Sequence, residues 1–250
     1  MISGKSNEKF KNLKKLNKKK YRNKEGLFLI ETEKLVKEAI KSNIKVKYLI
    51  LNEEYNLDNL KDFDLEYIIL KNSLFNELSN LINPDGIMAL CEKKEDKEIT
   101  SKDIVILDRI QDPGNVGTII RSSEAFGFDD VLLLNSADIY NYKTLRASMG
   151  SIFRLNCIEV DLDYIKKLKN KGYKIFALDM DGKSLKEYRE EITNGKNALV
   201  VGNEGNGIDK KILEMSDYVL SLEMKGEVES LNAAISVSIL MNNICECEDR

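Results

Sequence analysis

The chain contains no histidine and no tryptophan among its 250 residues. Without histidine, triads of the Ser-His-Asp type and histidine-ligated metal sites are excluded. Any acid–base chemistry must therefore come from Arg, Glu, Asp, Lys, Ser, Tyr or Cys. The cysteines are few and show no Cys-x-x-Cys spacing, so we expect neither a structural zinc site nor any other metal; they are Cys91, Cys157, Cys245 and Cys247.

Long apolar runs are also missing. No stretch approaches the roughly 20 apolar residues that a bilayer span needs, and the N-terminus is rich in lysine rather than apolar. Hydrophobic residues make up 42% of the chain and charged residues 32%, a balance typical of soluble proteins with a real core. We predict a cytoplasmic protein without a membrane partner, long enough for two domains.

The small net charge of −3 conceals an uneven distribution. The first 24 residues carry ten Lys or Arg and one Glu, which leaves −12 for the remaining 226 residues. A cationic arm on an acidic body indicates a polyanion such as RNA, although a solubilising tail explains it equally well. Phe10, Leu13 and Leu16 form only a narrow apolar stripe, which favours a phosphate-contacting helix over a core helix. The residues predicted to contact RNA are Lys14, Lys15, Lys18, Lys19, Lys20 and Arg22.

Strand-like and helix-like segments alternate along the chain. Residues 1–95 read as a small α/β domain, and the polar segment Glu92–Asp103 reads as a linker. Residues 104–250 open with a fully apolar strand and continue as a doubly wound α/β pattern. The last predicted helix, Leu231–Cys245, is apolar nearly all round, so we expect it to be buried. No glycine fingerprint of a dinucleotide site or a P-loop is present, which argues against a nicotinamide-dependent oxidoreductase.

Two loops in the second domain follow predicted strands. In the first, Asn115 stands where a helix N-cap belongs, and Arg121 follows six residues later. By itself this is an ordinary capped helix with a surface arginine. In the second, three glycines surround Glu204 between Gly202 and Ile208. Glycine lets a backbone approach a ligand closely, and strand ends are where α/β sheets bind ligands. An Asn-Gly turn with a solvated glutamate is the plainer alternative.

A third loop, from Leu222 to Asn232, runs directly into the last predicted helix. Ser230 or Asn232 can cap that helix, whose first N–H groups can also hold polar ligand atoms. Plain capping is again the simpler interpretation, and it predicts nothing about the other two loops.

Taken together and in this order, the three loops resemble the motifs of the SpoU, or TrmH-type, branch of the SPOUT methyltransferases. The first motif, N-x-G-x-x-x-R, is matched by Asn115, Gly117 and Arg121. The second, G-x-E-x-x-G, is matched by Gly202, Glu204 and Gly207. The third is matched by Gly226, Ser230, Leu231 and Asn232. The N-terminal part is similar to a small ribosomal-protein-like RNA-binding domain, except that family members usually have glycine where this chain has Thr32.

The resemblance implies an α/β SPOUT domain with a deep trefoil knot behind the N-terminal α/β domain, and a homodimer. It implies S-adenosylmethionine as cofactor, contacted by Gly202, Leu222 and Leu231. It also implies a catalytic set made of Arg121, Asn115, Glu204, Ser230 and Asn232. In that set Arg121 activates a ribose 2′-hydroxyl, as a base or by stabilising the developing alkoxide. Glu204 and Asn115 orient it, while Ser230 and Asn232 complete the pocket.

The expected reaction is therefore methylation of a ribose 2′-hydroxyl in structured RNA, with ribosomal RNA ahead of transfer RNA. A catalytically silent RNA-binding or ribosome-assembly factor with the same fold is the alternative. The intact motif residues argue against it, and binding of S-adenosylmethionine distinguishes the two.

Overall fold

The computed structural model describes residues 1–60, 65–224, 226 and 230–248. Within these ranges the chain forms two compact units. The first comprises residues 1–95 together with the segment 140–146, and the second comprises residues 96–139 and the chain from 147 onward. The sequence predicted a first domain of residues 1–95, which does not include the segment 140–146.

The first unit is built around a mixed sheet. The helices and strands of this unit are α1 Glu8–Lys15, α2 Lys19–Glu25, β1 Leu27–Glu31, α3 Glu33–Lys41, β2 Val46–Asn52, β3 Tyr67–Leu70, α4 Asn72–Leu78 and β4 Ile87–Glu92. The strand order of the sheet is β1-β4-β2-β3, with β4 antiparallel to both neighbours and β2 parallel to β3. A short 3₁₀ helix, Leu57–Leu60, follows β2.

The apolar stripe of the cationic arm belongs to the core of this unit. Phe10, Leu13 and Leu16 are 2%, 2% and 5% exposed, and they pack in one cluster with residues of α4 and the sheet. The prediction that the stripe was too narrow for a core helix is therefore wrong. α1 is only eight residues long, and for so short a helix three apolar side chains on one face are enough to anchor it.

Arg22 also departs from its predicted role. Its side chain is buried, and Nη1 donates a hydrogen bond of 2.7 Å to the carbonyl oxygen of Leu16. This burial contradicts the prediction that Arg22 contacts RNA. The predicted lysines are all exposed, although Lys14 forms an ion pair with Glu77. Their contact with RNA stays a prediction.

The second unit contains a parallel sheet with helices around it. Its helices and strands are β5 Asp103–Asp108, α5 Pro113–Ala125, β6 Asp130–Leu134, α6 Tyr142–Ser148, α7 Ser151–Arg154, β7 Asn156–Val160, α8 Leu162–Asn170, β8 Tyr173–Ser184, α9 Arg189–Thr193, β9 Lys196–Val201, α10 Lys210–Met215, β10 Tyr218–Ser221 and α11 Ala233–Glu248. The strand order is β10-β8-β9-β5-β6-β7. The central strands β5 and β6 are buried along their whole length, as their continuous apolar runs predict. The α/β class is confirmed, while the knot stays a prediction.

The last helix is buried on one side only. It packs against α5, and Ser238 Oγ donates a hydrogen bond of 2.7 Å to Ser122 Oγ. On another face, Ile235 is 52% exposed and Ile239 is 40% exposed. The prediction of a helix buried all round is therefore wrong for a single chain. Among the helices described, none is both long enough and apolar enough to span a membrane.

Candidate functional site

The first two motif loops begin side by side. Strands β5 and β9 are parallel neighbours, and Leu107 pairs with Val201 close to the carboxyl ends of both strands. Both chains therefore leave the sheet at the same edge, which is where open α/β sheets bind their ligands. The sheet register thus brings two motifs together that lie about 85 residues apart in the sequence.

Asn115 is not the cap of α5, contrary to the sequence prediction. Asp112 caps this helix: its Oδ1 accepts the Asn115 backbone N–H at 2.9 Å, and Pro113 occupies the first turn. Proline suits that position because it has no N–H to leave unsatisfied. As a result, the Asn115 side chain is not needed for capping and is available for contacts with other loops.

The Asn115 side chain joins all three motifs. Its Nδ2 donates a hydrogen bond to Glu204 Oε1. Its Oδ1 accepts a hydrogen bond of 3.0 Å from Asn232 Nδ2. Asn232 Oδ1 in turn accepts the Ala234 N–H at 2.9 Å at the start of α11, so Asn232 caps that helix. Three predicted site residues therefore form one hydrogen-bonded chain, Asn232–Asn115–Glu204.

The glycine loop after β9 folds tightly back on itself. Asn203 and Gly207 exchange two backbone hydrogen bonds, of 3.2 and 2.8 Å. A Cβ on Gly202 would stand 2.4 Å from the carbonyl carbon of Gly207 and from the nitrogen of Ile208. Only glycine fits such a close approach. Gly207 has φ +61°, a left-handed conformation that also favours glycine.

Two residues at the end of β5 hold this loop in place, and neither was predicted from the sequence. Asp108 is fully buried and pairs with Arg109, with 2.9 Å between its Oδ2 and the Arg109 Nη2. Arg109 Nη2 also donates to the carbonyl oxygen of Gly207 at 3.2 Å, and Asp108 Oδ2 accepts the Asp209 N–H at 2.7 Å. The hydrogen bonds that the Arg109 guanidinium donates to the Asp108 carboxylate raise the pKa of Arg109. An Asp-Arg pair at a strand end was visible in the sequence, but its partners are about 100 residues away.

A pocket of about 510 Å³ opens beside the loop. This volume lies within the range of small-molecule sites, about 300–1,000 Å³. The described residues of its walls combine glycine backbone, apolar side chains and two carboxylates. Five predicted site residues line it: Gly202, Glu204, Leu222, Ser230 and Leu231. Asp179 from β8 also lines it and was not predicted.

Arg121 lies outside this pocket. It is exposed on α5, and the described part of the chain gives it no hydrogen bond or ion pair. Its guanidinium is thus turned to solvent in the single chain rather than held by the Asn232–Asn115–Glu204 chain. In the ranges that the structure describes, no cluster of three or more acidic or cysteine side chains is arranged to hold a metal ion.

Comparison with known proteins agrees with this geometry. The sequence profile of the SpoU rRNA Methylase family matches residues 102–242, and that of the MRM3-like substrate binding domain matches residues 7–89. The 23S rRNA (guanosine(2553)-2′-O)-methyltransferase RlmP of Bacillus subtilis (strain 168) is 36% identical over 245 residues, which cover 97% of this chain and 98% of RlmP. The mitochondrial rRNA methyltransferase 3 of Mus musculus is 25% identical and aligns with 88% of this chain and 68% of its own length.

Solved structures share the fold over the whole length. The AdoMet-bound rRNA methyltransferase from Sinorhizobium meliloti superposes with a TM-score of 0.84 at 24% identity, covering 98% of this chain and 97% of that one. The SpoU methyltransferase AviRb from Streptomyces viridochromogenes, in complex with AdoMet, gives a TM-score of 0.83 at 24% identity, covering 96% and 97%. With one hydrogen-bonded chain joining residues of all three motifs and the family profile matching more than half of its length, the chain belongs to the SpoU rRNA methylase family.

Proposed function

We propose that this protein methylates a ribose 2′-hydroxyl in ribosomal RNA and uses S-adenosylmethionine as the methyl donor. The observation that carries the proposal is the Asn232–Asn115–Glu204 chain, whose Glu204 end lines the glycine-loop pocket. It unites the three motifs that the family shares. The 36% identical relative is named as a 23S rRNA 2′-O-methyltransferase, which supports ribosomal over transfer RNA and an activity in the cytoplasm.

The pocket residues fit the cofactor. Gly202 lacks a Cβ where the loop has no room for one, so the loop exposes backbone rather than side chains to a ligand. Leu222 and Leu231 supply apolar walls. When bound, S-adenosylmethionine supplies a methyl group that its sulfonium has already activated. The residues that hold it are Gly202, Leu222 and Leu231.

The chain's remaining task is to activate the hydroxyl. A ribose hydroxyl is a weak nucleophile until its proton is leaving, and a guanidinium is a poor base because it has no free lone pair to accept that proton. We assign Arg121 to electrostatic stabilisation of the alkoxide that develops as the hydroxyl proton passes to bulk water. Its exposure and its lack of partners in the described residues leave all its donors available to an RNA substrate. Glu204 holds Asn115, and Asn232 fixes the other end of that amide.

We further propose a homodimer and an RNA surface on the first unit. The exposed faces of Ile235 and Ile239 on α11 form an apolar patch that a second copy of the chain would cover. The exposed lysines of the arm, Lys14, Lys15, Lys18, Lys19 and Lys20, are candidates for phosphate contacts. The buried Arg22 is not among them.

Calorimetry of the purified protein with S-adenosylmethionine tests the cofactor assignment. Ribose-methylation mapping of total RNA from cells with and without the gene then tests the substrate. We expect about one site per chain and the loss of one or more ribose methyl groups from ribosomal RNA. Absence of cofactor binding would instead support a catalytically silent RNA-binding factor with this fold.

A further inference from the structure

Among the described residues that line the pocket, Asp179 is the one carboxylate that neither the motifs nor the hydrogen-bonded chain uses. Asp179 reaches the pocket because the pairing of β8 with β10 is interrupted around it. Ala177 pairs with Val219, but the next residue of β10, Leu220, pairs with Lys183. Residues 178–182 of β8 are therefore not paired with β10 and form a bulge, and bulges commonly redirect side chains toward active sites.

The bulge is fixed in place by close packing. A Cβ on Gly182 would stand 2.4 Å from the carbonyl carbon of Leu220, so the backbone passes β10 with no space between them. Asp179 Oδ1 accepts the Asp181 N–H at 3.2 Å. Its Oδ2 lies 3.9 Å from the position that a Cβ of Gly207 would occupy. The carboxylate thus lies next to Gly207 of the glycine loop, on the wall of the pocket.

Charge distinguishes the substrate of this pocket from its product. S-adenosylmethionine carries a sulfonium charge, an ammonium and a carboxylate, so its net charge is +1. After methyl transfer the sulfonium becomes a neutral thioether, and S-adenosylhomocysteine has no net charge. Glu204, the other carboxylate among the described lining residues, already accepts a hydrogen bond from Asn115. A half-buried carboxylate on this wall attracts a cationic ligand more strongly than a neutral one of the same shape.

We propose that Asp179 makes the pocket prefer cationic S-adenosylmethionine over neutral S-adenosylhomocysteine, so that the loss of the sulfonium charge favours release of the product. The inference rests on the proposed function. It makes Asp179 a specificity-determining residue, and its readout is the ratio of two affinities rather than either affinity alone.

Calorimetric titration of the full-length protein with each of the two ligands tests this role. For Asp179→Asn, which keeps the shape and removes the charge, we expect the preference for S-adenosylmethionine to fall about threefold to tenfold. Asp179→Glu, which keeps the charge, should retain most of the preference. Asp181→Asn removes the same charge from an exposed side chain outside the pocket lining and should leave the ratio unchanged.

The failures are distinguishable. If Asp179→Asn leaves the ratio of the two affinities unchanged, the charge-based preference is wrong. Equal weakening of both ligands would mean that the carboxylate accepts a hydrogen bond common to both or supports the fold. If the wild-type protein binds neither ligand, the proposed function fails together with this inference.

Discussion

Replacing Gly202 by alanine should separate the two arms of the glycine loop. A Cβ there would stand 2.4 Å from the carbonyl carbon of Gly207 and the nitrogen of Ile208, about 1 Å closer than an ordinary van der Waals contact. Relief requires the arms to move apart by a similar amount. The bonds between Asn203 and Gly207, now 3.2 and 2.8 Å long, would then exceed hydrogen-bonding distance.

The cost falls mainly on cofactor affinity. Two hydrogen bonds contribute about 1 kcal/mol each, so restoring the binding geometry costs about 2 kcal/mol. A binding-competent state disfavoured by that amount raises the apparent Kd about 30-fold. A loss of about 2 kcal/mol should lower the thermal midpoint by about 4–8 °C.

Gly205 provides a matched control in the same loop. A Cβ there would meet only Asn203 Oδ1, at 3.4 Å, and the residue does not have a left-handed φ. Calorimetry should show Gly205→Ala within about threefold of the wild-type Kd, well short of the 30-fold rise for Gly202→Ala. Equal losses in the two variants, or full affinity in Gly202→Ala, would refute the reasoning from crowding.

Three further predictions concern stability and RNA binding. Thr32 has φ +86° and caps α3 through a hydrogen bond of 3.3 Å. Glycine at this position should relieve about 2 kcal/mol of backbone strain, which outweighs the lost cap and the extra conformational entropy of glycine. Thr32→Gly should therefore raise the thermal midpoint of unfolding by about 2–4 °C. A hydrogen bond from Arg154 lowers the pKa of Glu124. A lowered carboxylate pKa stabilises the fold above the unfolded pKa, so Arg154→Ala should cost about 0.5 kcal/mol in urea unfolding at pH 7 and nothing below about pH 3. Alanine at all of Lys18–Lys20 should flatten the dependence of log K on log salt by about 0.7 to 0.9 per lost phosphate contact, while equal slopes would make the arm a solubilising element.

The burial of the apolar stripe changes how the arm must be tested. Removing residues 1–24 would delete Phe10, Leu13 and Leu16 from the core of the first unit. A truncation would therefore confuse unfolding with the loss of phosphate contacts. Point substitutions at exposed lysines separate the two effects, because those side chains contribute charge without filling the core.

For the second unit, the sequence predicted the helices and strands better than the contacts between them. Continuous apolar runs predicted β5 and β6 because strands buried on both faces need them. Local patterning failed where packing decided the outcome. Asp112 rather than Asn115 caps α5. Both residue types are good caps, so residue type alone does not tell them apart, and only the position of Pro113 distinguishes them.

Contacts over long sequence separations could not be predicted. The brace from Arg109 to Gly207 depends on the parallel pairing of β5 with β9, which neither segment reveals alone. Asp179 reaches the pocket through a bulge that a change in strand register creates. The motif resemblance named Asn115, Glu204 and Asn232 separately, and the structure adds that they touch.

The central claim is that this chain transfers a methyl group to a ribose with Arg121 on the nucleophile side of the reaction. Its most direct test measures methyl transfer from labelled S-adenosylmethionine to ribosomal RNA lacking the modification, for the wild-type protein and Arg121→Ala. We predict ribose-linked label with the wild-type protein. In the variant, turnover should fall about 10²- to 10³-fold while the cofactor Kd stays within about twofold, since Arg121 lies outside the pocket. Arg121→Lys should recover little, because a point charge lacks the planar donor fork. Wild-type turnover in Arg121→Ala, or label found on bases instead of ribose, would contradict the account.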